Sequence, residues 1–439
     1  MLDGNVQQPL LETHASGLGS KTIGFWGGVM LFANSIAGPT ISLMPKLALG
    51  VGWLPFVIVM AIIAVISALC AWMVLTAIRR MPDNQNFERR VEFLHLTRFY
   101  LWCPVHVFAA VCYTLYLIVT LMTYMIQTAQ ILDYAILDIC GCAYGFELWP
   151  HFGGACGTAM DATSPFLDAT VVSVAFAIAL VLMAPLARLN LDDNVVFQWM
   201  ATCGLSILMA IWLAWLVKQP QFPQTRLLPA VVGAKTGWGE LWGVLMFNFA
   251  LVSVLPSWAN EKRPEVSVGR TLFVSISYIA VLYAVLGLIG GLCFGGQLER
   301  GNLFSMFNGS GSTFMRFTVI FYPLLQNFTS IPVFSILIKY NLIQAGLLRG
   351  NTAAFVAFVV PWVLSILLYT GDSFERISSV GGLVLGTIIN YVIPVVLIAC
   401  SLRRGSADDG LDESPPNLIS YSATEEGEGQ RKGRKVSRP

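Results

Sequence analysis

Two segments of this chain are long and apolar enough to cross a bilayer, yet each is interrupted in its middle. The first runs FWGGVMLFANSIAGPTISLMP from Phe25 to Pro45, the second LWGVLMFNFALVSVLPSWANEKRP from Leu241 to Pro264. Small residues, polar residues and a proline stand where a plain anchor would carry leucines. A backbone N–H or C=O freed in hydrocarbon costs several kcal/mol, so an unwound stretch survives at that depth only where it lines a cavity or binds something. A pair of such breaks in corresponding halves of a chain predicts a transport site near the bilayer midplane.

Composition agrees. Of 439 residues 56% are hydrophobic and 12% charged, with a mean hydropathy of +0.69; soluble domains carry about a quarter charged residues. The chain is expected to be a polytopic membrane protein with the lipid bilayer as its environment. The net charge of +1 is confined to loops and tails, and no basic patch invites nucleic acid. The first twenty or so residues are polar and lack the charged and apolar regions of a cleaved signal peptide, so the first membrane helix is expected to do the targeting.

A window of about 19 residues and a span of about 20 divide the chain into ten helices: 22–46, 53–78, 104–136, 166–187, 194–217, 239–259, 268–294, 313–338, 352–370 and 377–400. No segment carries a strand signal, so the fold class is all-α. The organisation expected is a cytosolic N-terminal tail (1–21), a transmembrane domain (22–402) and a disordered cytosolic C-terminal tail (403–439), whose charge clusters and low hydrophobicity preclude a packed core. With the N-terminus cytosolic, 14 Lys and Arg residues face the cytosol and 7 face the other side, a bias that puts both termini inside. The plasma membrane and a vacuolar or lysosomal membrane satisfy this topology equally.

The loop from Asp138 to Pro165 holds no Lys or Arg and is placed outside the cytosol. In that oxidising setting a disulfide is expected from Cys156 to Cys140 or Cys142; Cys142–Cys156 is taken as the working pair. Asn308-Gly309-Ser310 is a glycosylation sequon on the same side. Asn327-Phe328-Thr329 also matches but falls inside a helix.

At the first break, Pro39 lacks an N–H and Gly38 lacks a side chain, which together favour an open stretch. Backbone N–H groups at a half-helix N-terminus suit a carboxylate, and freed carbonyls suit a cation. Asn34, Ser35 and Thr40 add polar side chains, and Ala37 sits at the opening. A proline kink packed on its neighbours would account for one such segment. The second break, with Asn248, Phe249 and Ser253 before Pro256, opens a second set of five helices, and this repetition favours a site built on an inverted five-plus-five repeat. In the third helix Tyr113, Tyr116, Thr120 and Tyr124 form an aromatic stripe, from which Tyr116 is taken as a substrate contact; ordinary aromatic packing is the rival explanation. Thr329 and Ser330 in the eighth helix are candidate ligands for a coupling cation, against a role in helix-to-helix hydrogen bonding. Asp133, Asp168 and Glu240 are expected at the membrane interface, and His95 and His106 beside the cytosolic start of the third helix. No catalytic motif, cofactor motif or metal-ligand spacing occurs, so neither an enzyme nor a metalloprotein is expected.

ANSIAGPTISLMPKLALGVGW (33–53), RRMPDNQNFERRVEF (79–93), LNLDDNVVFQ (189–198), FNFALVSVLPSWANEKRPEVSV (247–268), SIPVFSILIKYNL (330–342) and NYVIPVVLIA (390–399) together resemble the amino acid/auxin permease family. That family lies within the larger amino acid, polyamine and organocation superfamily. The resemblance implies a leucine-transporter-like core that moves amino acids by secondary-active transport, coupled to protons or sodium. It places the α-carboxylate near Ala37 and Gly38 and the substrate side chain near Phe249 and Ser253. Members usually have eleven helices. Here the sequence passes from Ile398 into a charged tail, so a ten-helix core is expected, the eleventh helix being either lacking or cut off. The function expected is alternating-access transport of neutral amino acids. A non-transporting amino acid sensor on the same fold is the first alternative, and a structural or channel-like protein with mere kinks the second.

Overall fold

The computed structural model describes residues 21–159, 164–167, 169–188, 191–219, 228–232, 237–294, 303–309, 311–369 and 381–408. The first apolar segment is two helices, α1 (Phe25–Ile36) and α2 (Met44–Val51), joined through a 3-10 turn (Pro39–Leu43). The segment bends by 59° at the break. After Gly52, which takes a positive φ of 94° where Ala230 and Val231 crowd the backbone, come α3 (Trp53–Arg79), the short α4 (Phe93–Tyr100) and the long α5 (Cys103–Cys140). A small sheet follows (β1 Ala143–Trp149, β2 Gly153–Gly157, β3 Thr170–Ser173), then α6 (Val174–Met183) and α7 (Leu191–Val217). The second broken segment is α8 (Trp238–Asn248) and α9 (Leu255–Glu261). The chain continues through α10 (Val268–Phe294), α11 (Leu303–Gly309), α12 (Thr313–Gln344) and α13 (Gly350–Leu367). Two π-helical stretches, Gly382–Gly386 and Ile388–Val392, lead into α14 (Ile393–Asp408).

Among the described residues seven helices are long and apolar enough to cross a membrane, or eight with the bent pair counted as one span. Their outer faces are apolar. On α3, Ile58, Ile62, Val65, Leu69 and Trp72 are all exposed along one stripe, which suits lipid and would be ruinous in water. At the centre α12 packs against α5, α7 and α13, while α10 packs against α1, α2 and α3. Small residues permit close approach: a Cβ on Gly28 would lie 2.7 Å from Trp258 Nε1, and one on Gly290 2.6 Å from Pro45.

The all-helix expectation is corrected by the sheet. Strand β1 lies between β2 and β3, antiparallel to both, with Tyr144 opposite Cys156 and Phe146 opposite Val172. Strands of four to seven residues leave no trace in a 19-residue window, and glycine-rich β2 has little side-chain alternation to signal it. Gly145 is required here, since a Cβ would fall 2.4 Å from Val171. A disulfide joins Cys142 to Cys156 across the β1–β2 pair, leaving Cys140 free and exposed. The fourth expected span, 166–187, is therefore part strand, and its helix is only Val174–Met183. Helix α5 runs four residues past the expected 136 and α12 six past 338. Helix α14 reaches Asp408, beyond the expected start of the tail at 403, and from 409 onward the tail lies outside the described residues.

The start of the first broken segment is tied to the end of the second. Ile23 N–H donates to the Glu261 carbonyl at 3.0 Å and Arg263 N–H to the Ile23 carbonyl at 2.9 Å, a short parallel bridge. Lys21 Nζ reaches the Phe87 carbonyl at 2.6 Å.

Candidate functional site

The first break leaves carbonyls with no helical partner, and neighbouring helices supply donors. Tyr283 of α10 donates to the Ile36 carbonyl at 2.6 Å, Tyr322 of α12 to that of Gly38 at 2.7 Å, and Gln326 Nε2 to that of Asn34 at 2.6 Å. The second break is served in the same way. Tyr391 donates to the Met246 carbonyl at 3.0 Å, Ser67 to that of Phe249, and Tyr113 to that of Ser253 at 3.0 Å. The open backbone at both places is thus stabilised by side chains from at least four helices, as a buried main chain in hydrocarbon requires.

The two breaks meet. Thr40 Oγ1 donates to Asn248 Oδ1 at 2.6 Å, and a Cβ on Gly38 would stand 2.9 Å from that same oxygen. Gly38 has φ −68° and ψ 177°, a conformation open to any residue, so it is proximity to Asn248 that excludes a side chain. Tyr124 Oη is 3.8 Å from the same Cβ position.

Below this junction lies a cluster of amides. Asn34 Nδ2 donates to Gln198 Oε1 at 2.5 Å and to Thr329 Oγ1 at 2.7 Å, and Gln198 Nε2 donates to the Thr329 carbonyl at 3.0 Å. Ser330 accepts from Gln326 at 3.4 Å. Thr329 and Ser330, expected as cation ligands, are both within this network, and Thr329 Oγ1 receives an amide N–H. Ser253 N–H donates to Asn390 Oδ1 at 3.3 Å, and Tyr116 lies against Thr120, Asn390 and Ser253. Phe249 is fully buried, its ring 6.3 Å from that of Tyr283. Ser35 stands apart: its hydroxyl donates to the Leu31 carbonyl of its own helix at 2.8 Å. Asn34, Ala37, Gly38, Asn248, Phe249, Ser253, Tyr116, Thr329 and Ser330 are brought together; Ser35 is not. The side chain of Asn308 lies outside the described residues.

Three buried amide atoms beside the junction make no hydrogen bond among the described residues: the acceptors Asn34 Oδ1 and Gln326 Oε1 and the donor Asn248 Nδ2. Capacity of both signs is left unspent, which is costly unless something uses it.

At the same end as the Ile23 bridge, α4 docks beneath α9. Glu92 is buried, accepting from Ser257 at 2.5 Å and from Asn260 Nδ2 at 2.8 Å, while Asn260 Oδ1 accepts from Val91 N–H at 2.8 Å. Gln344 closes the other flank, bonding Glu92 N–H and the Arg90 carbonyl at 2.6 Å each. Burial pushes the Glu92 carboxyl up to about 7, against the pull of its two donors.

A family model for transmembrane amino acid transporter proteins matches residues 21–402. The chain belongs to the transmembrane amino acid transporter family. Among solved structures it is similar to one described as MhsT in complex with L-phenylalanine, with 13% identity and a TM-score of 0.54, covering 85% of this chain and 94% of that one. At this identity the likeness establishes a shared fold, that of the leucine-transporter class. No curated protein matches the sequence. The transporter is therefore a multi-pass integral membrane protein for amino acids and not an enzyme.

Several residues of the transporter's junction carry no signal in the sequence. Gln198, Gln326, Tyr283, Tyr322, Asn390 and Tyr391 are polar or phenolic residues in otherwise apolar helices, and only the fold gives them a common target. A polar residue in such a helix is a pointer, but it does not say which break it serves. Tyr322→Phe is expected to leave the Gly38 carbonyl with only the Ile41 N–H at 3.3 Å, at a cost of about 1 kcal/mol, read as a lower thermal midpoint in detergent. An unchanged midpoint would show that this carbonyl does not need the phenol.

Proposed function

We propose that this protein is a secondary-active transporter of neutral amino acids, working by alternating access around the junction of its two broken segments. The observation that carries the reading is the meeting of the breaks at Thr40, Asn248 and Gly38, with unspent acceptors and an unspent donor beside it. An amino acid zwitterion needs both: donors for its carboxylate and acceptors for its ammonium. On this reading Ala37 and Gly38 face the carboxylate, Asn34 and Asn248 help orient the two charged groups, and Phe249, Ser253 and Tyr116 border the side chain. The side chains gathered there are amides, hydroxyls and aromatic rings. A charged substrate side chain would be buried among them without a partner, so neutral substrates fit best. The similar structure was solved with L-phenylalanine, which is in keeping with this class.

The architecture proposed is five helices plus five in inverted repeat, about ten spans, each repeat opened by a broken helix. Coupling to protons or sodium, cytosolic termini, and residence in the plasma membrane or a vacuolar or lysosomal membrane complete the proposal. The test is counterflow in proteoliposomes loaded with a neutral amino acid, followed by uptake under an imposed proton gradient and then a sodium gradient. Exchange of neutral but not charged amino acids is the expected result. Ligand binding without exchange would replace transport by sensing, and neither binding nor exchange would overturn the site.

A further inference from the structure

Asp133 was expected at the interface. In the structure it is fully buried, two turns inside the end of α5. Among the described residues it is the one carboxylate of the long helices lying more than a turn from a helix end. The Tyr369 phenol, in the segment following α13, donates to its Oδ2 at 2.5 Å. Ser173, at the start of α6, and the backbone of Ala175 lie against the carboxyl, and Ser164 lies beside Tyr369. Tyr369 is the titratable group facing Asp133 from these elements, with Tyr134 next along α5 acting on Tyr369. Lys, Arg and His are not among the described residues acting on either.

Asp133 also connects to the junction. Tyr124, Gln127, Gln130 and Asp133 are buried and stand three residues apart, so each is a neighbour of the next along α5 at about 5–6 Å between Cβ atoms. The series winds around the helix over about 13 Å. Its lower end, Tyr124, reaches the Gly38 position, and Gln127 is bound by Asn327 of α12 at 3.0 Å.

We propose that Asp133 is the proton-binding carboxyl through which amino acid movement is coupled to a proton gradient, a role that rests on the transport reading. A carboxylate buried in protein with no cation beside it among the described residues is expensive, and one proton removes its charge. That proton also turns an acceptor-only group into a donor. The proton's place is Oδ1, which has no hydrogen-bond partner among the described residues, while Oδ2 holds the Tyr369 phenol. A neutral carboxyl is the weaker acceptor, so the Tyr369 bond loosens, the new O–H needs an acceptor, and the packing of α5 against α13 and α6 adjusts. Gln130, Gln127 and Tyr124 carry the change toward the first break.

Proteoliposomes holding the full chain separate this proposal from the one beneath it. In the wild type, an inward proton gradient is expected to drive accumulation of a neutral amino acid. Asp133→Asn is expected to lower that accumulation at least tenfold while counterflow, which needs no net proton movement, continues. Gradient-driven accumulation that persists in Asp133→Asn, or a wild type driven by sodium and indifferent to pH, overturns the assignment. A wild type without counterflow defeats the transport reading and this proposal with it. Should Asp133→Asn lose both activities, Tyr369→Phe decides: a displaced pH midpoint of driven uptake supports the role, and an unmoved midpoint overturns it.

Discussion

Leucine at position 38 is expected to abolish amino acid uptake while the protein still folds and reaches the membrane. The first atom of any side chain there falls 2.9 Å from Asn248 Oδ1, closer than real Cβ contacts allow. Asn248 cannot simply swing away, because Thr40 holds the same oxygen at 2.6 Å. Leucine adds three further carbons and must separate the two breaks. A displacement of about 1 Å in a positioned site costs roughly a hundredfold in rate, and leucine demands more. Alanine imposes the first contact alone and is expected to lose about tenfold. Since the Gly38 backbone is in an ordinary extended conformation, neither variant strains the main chain. Overpacking by leucine costs about 1–3 kcal/mol, so Gly38→Leu should melt lower in detergent while still reaching the membrane, and Gly38→Ala should change less. Full-rate uptake by Gly38→Leu would sink the proposed position of the carboxylate.

Raising the pH is expected to loosen the docking of α4 beneath α9, through Glu92. The carboxyl sits at about 7 in the folded protein because it is buried, above the ordinary value near 4.3. A group raised in this way contributes stability that is fully present below about 4.5 and is lost as pH climbs through 7. The full effect is about 3 kcal/mol. Hydrogen exchange of residues 91–100 is the measurement: protection should fall between pH 5 and pH 8 in the wild type and stay level in Glu92→Gln. Glu92→Ala should expose the segment at every pH, because Ser257 and Asn260 lose their shared acceptor and each orphaned donor costs about 1–3 kcal/mol. Flat protection in the wild type would mean that the carboxyl stays in one protonation state throughout.

Both breaks were visible in the sequence because their causes are local. Gly38-Pro39 and Pro256 oppose a helix wherever they stand, and hydrocarbon makes such residues conspicuous. What satisfies the broken backbone was not visible, since Tyr283, Tyr322 and Gln326 lie hundreds of residues from the carbonyls they serve. The orientation of Ser35 was hidden for a related reason. Its type and position suit a site, but its hydroxyl turns back to Leu31, as serine does readily within a helix. The burial of Asp133 depends on a boundary: α5 continues past 136 to Cys140 and the sheet packs against its end, so the carboxyl is enclosed by protein. The sheet itself escaped because short strands in a polar, glycine-bearing loop share neither the length nor the apolar content used to find spans.

The bridge of Ile23 with Glu261 and Arg263 has a mechanical consequence. It ties the chain just before α1 to the end of α9 by two main-chain bonds, which side-chain substitution cannot remove. If alternating access operates as proposed, α1 and α9 are expected to move together, the chain bending at Ala37–Gly38 and at Phe249–Val254. On that reading a cargo leaving past these ends would meet one door hung on two hinges.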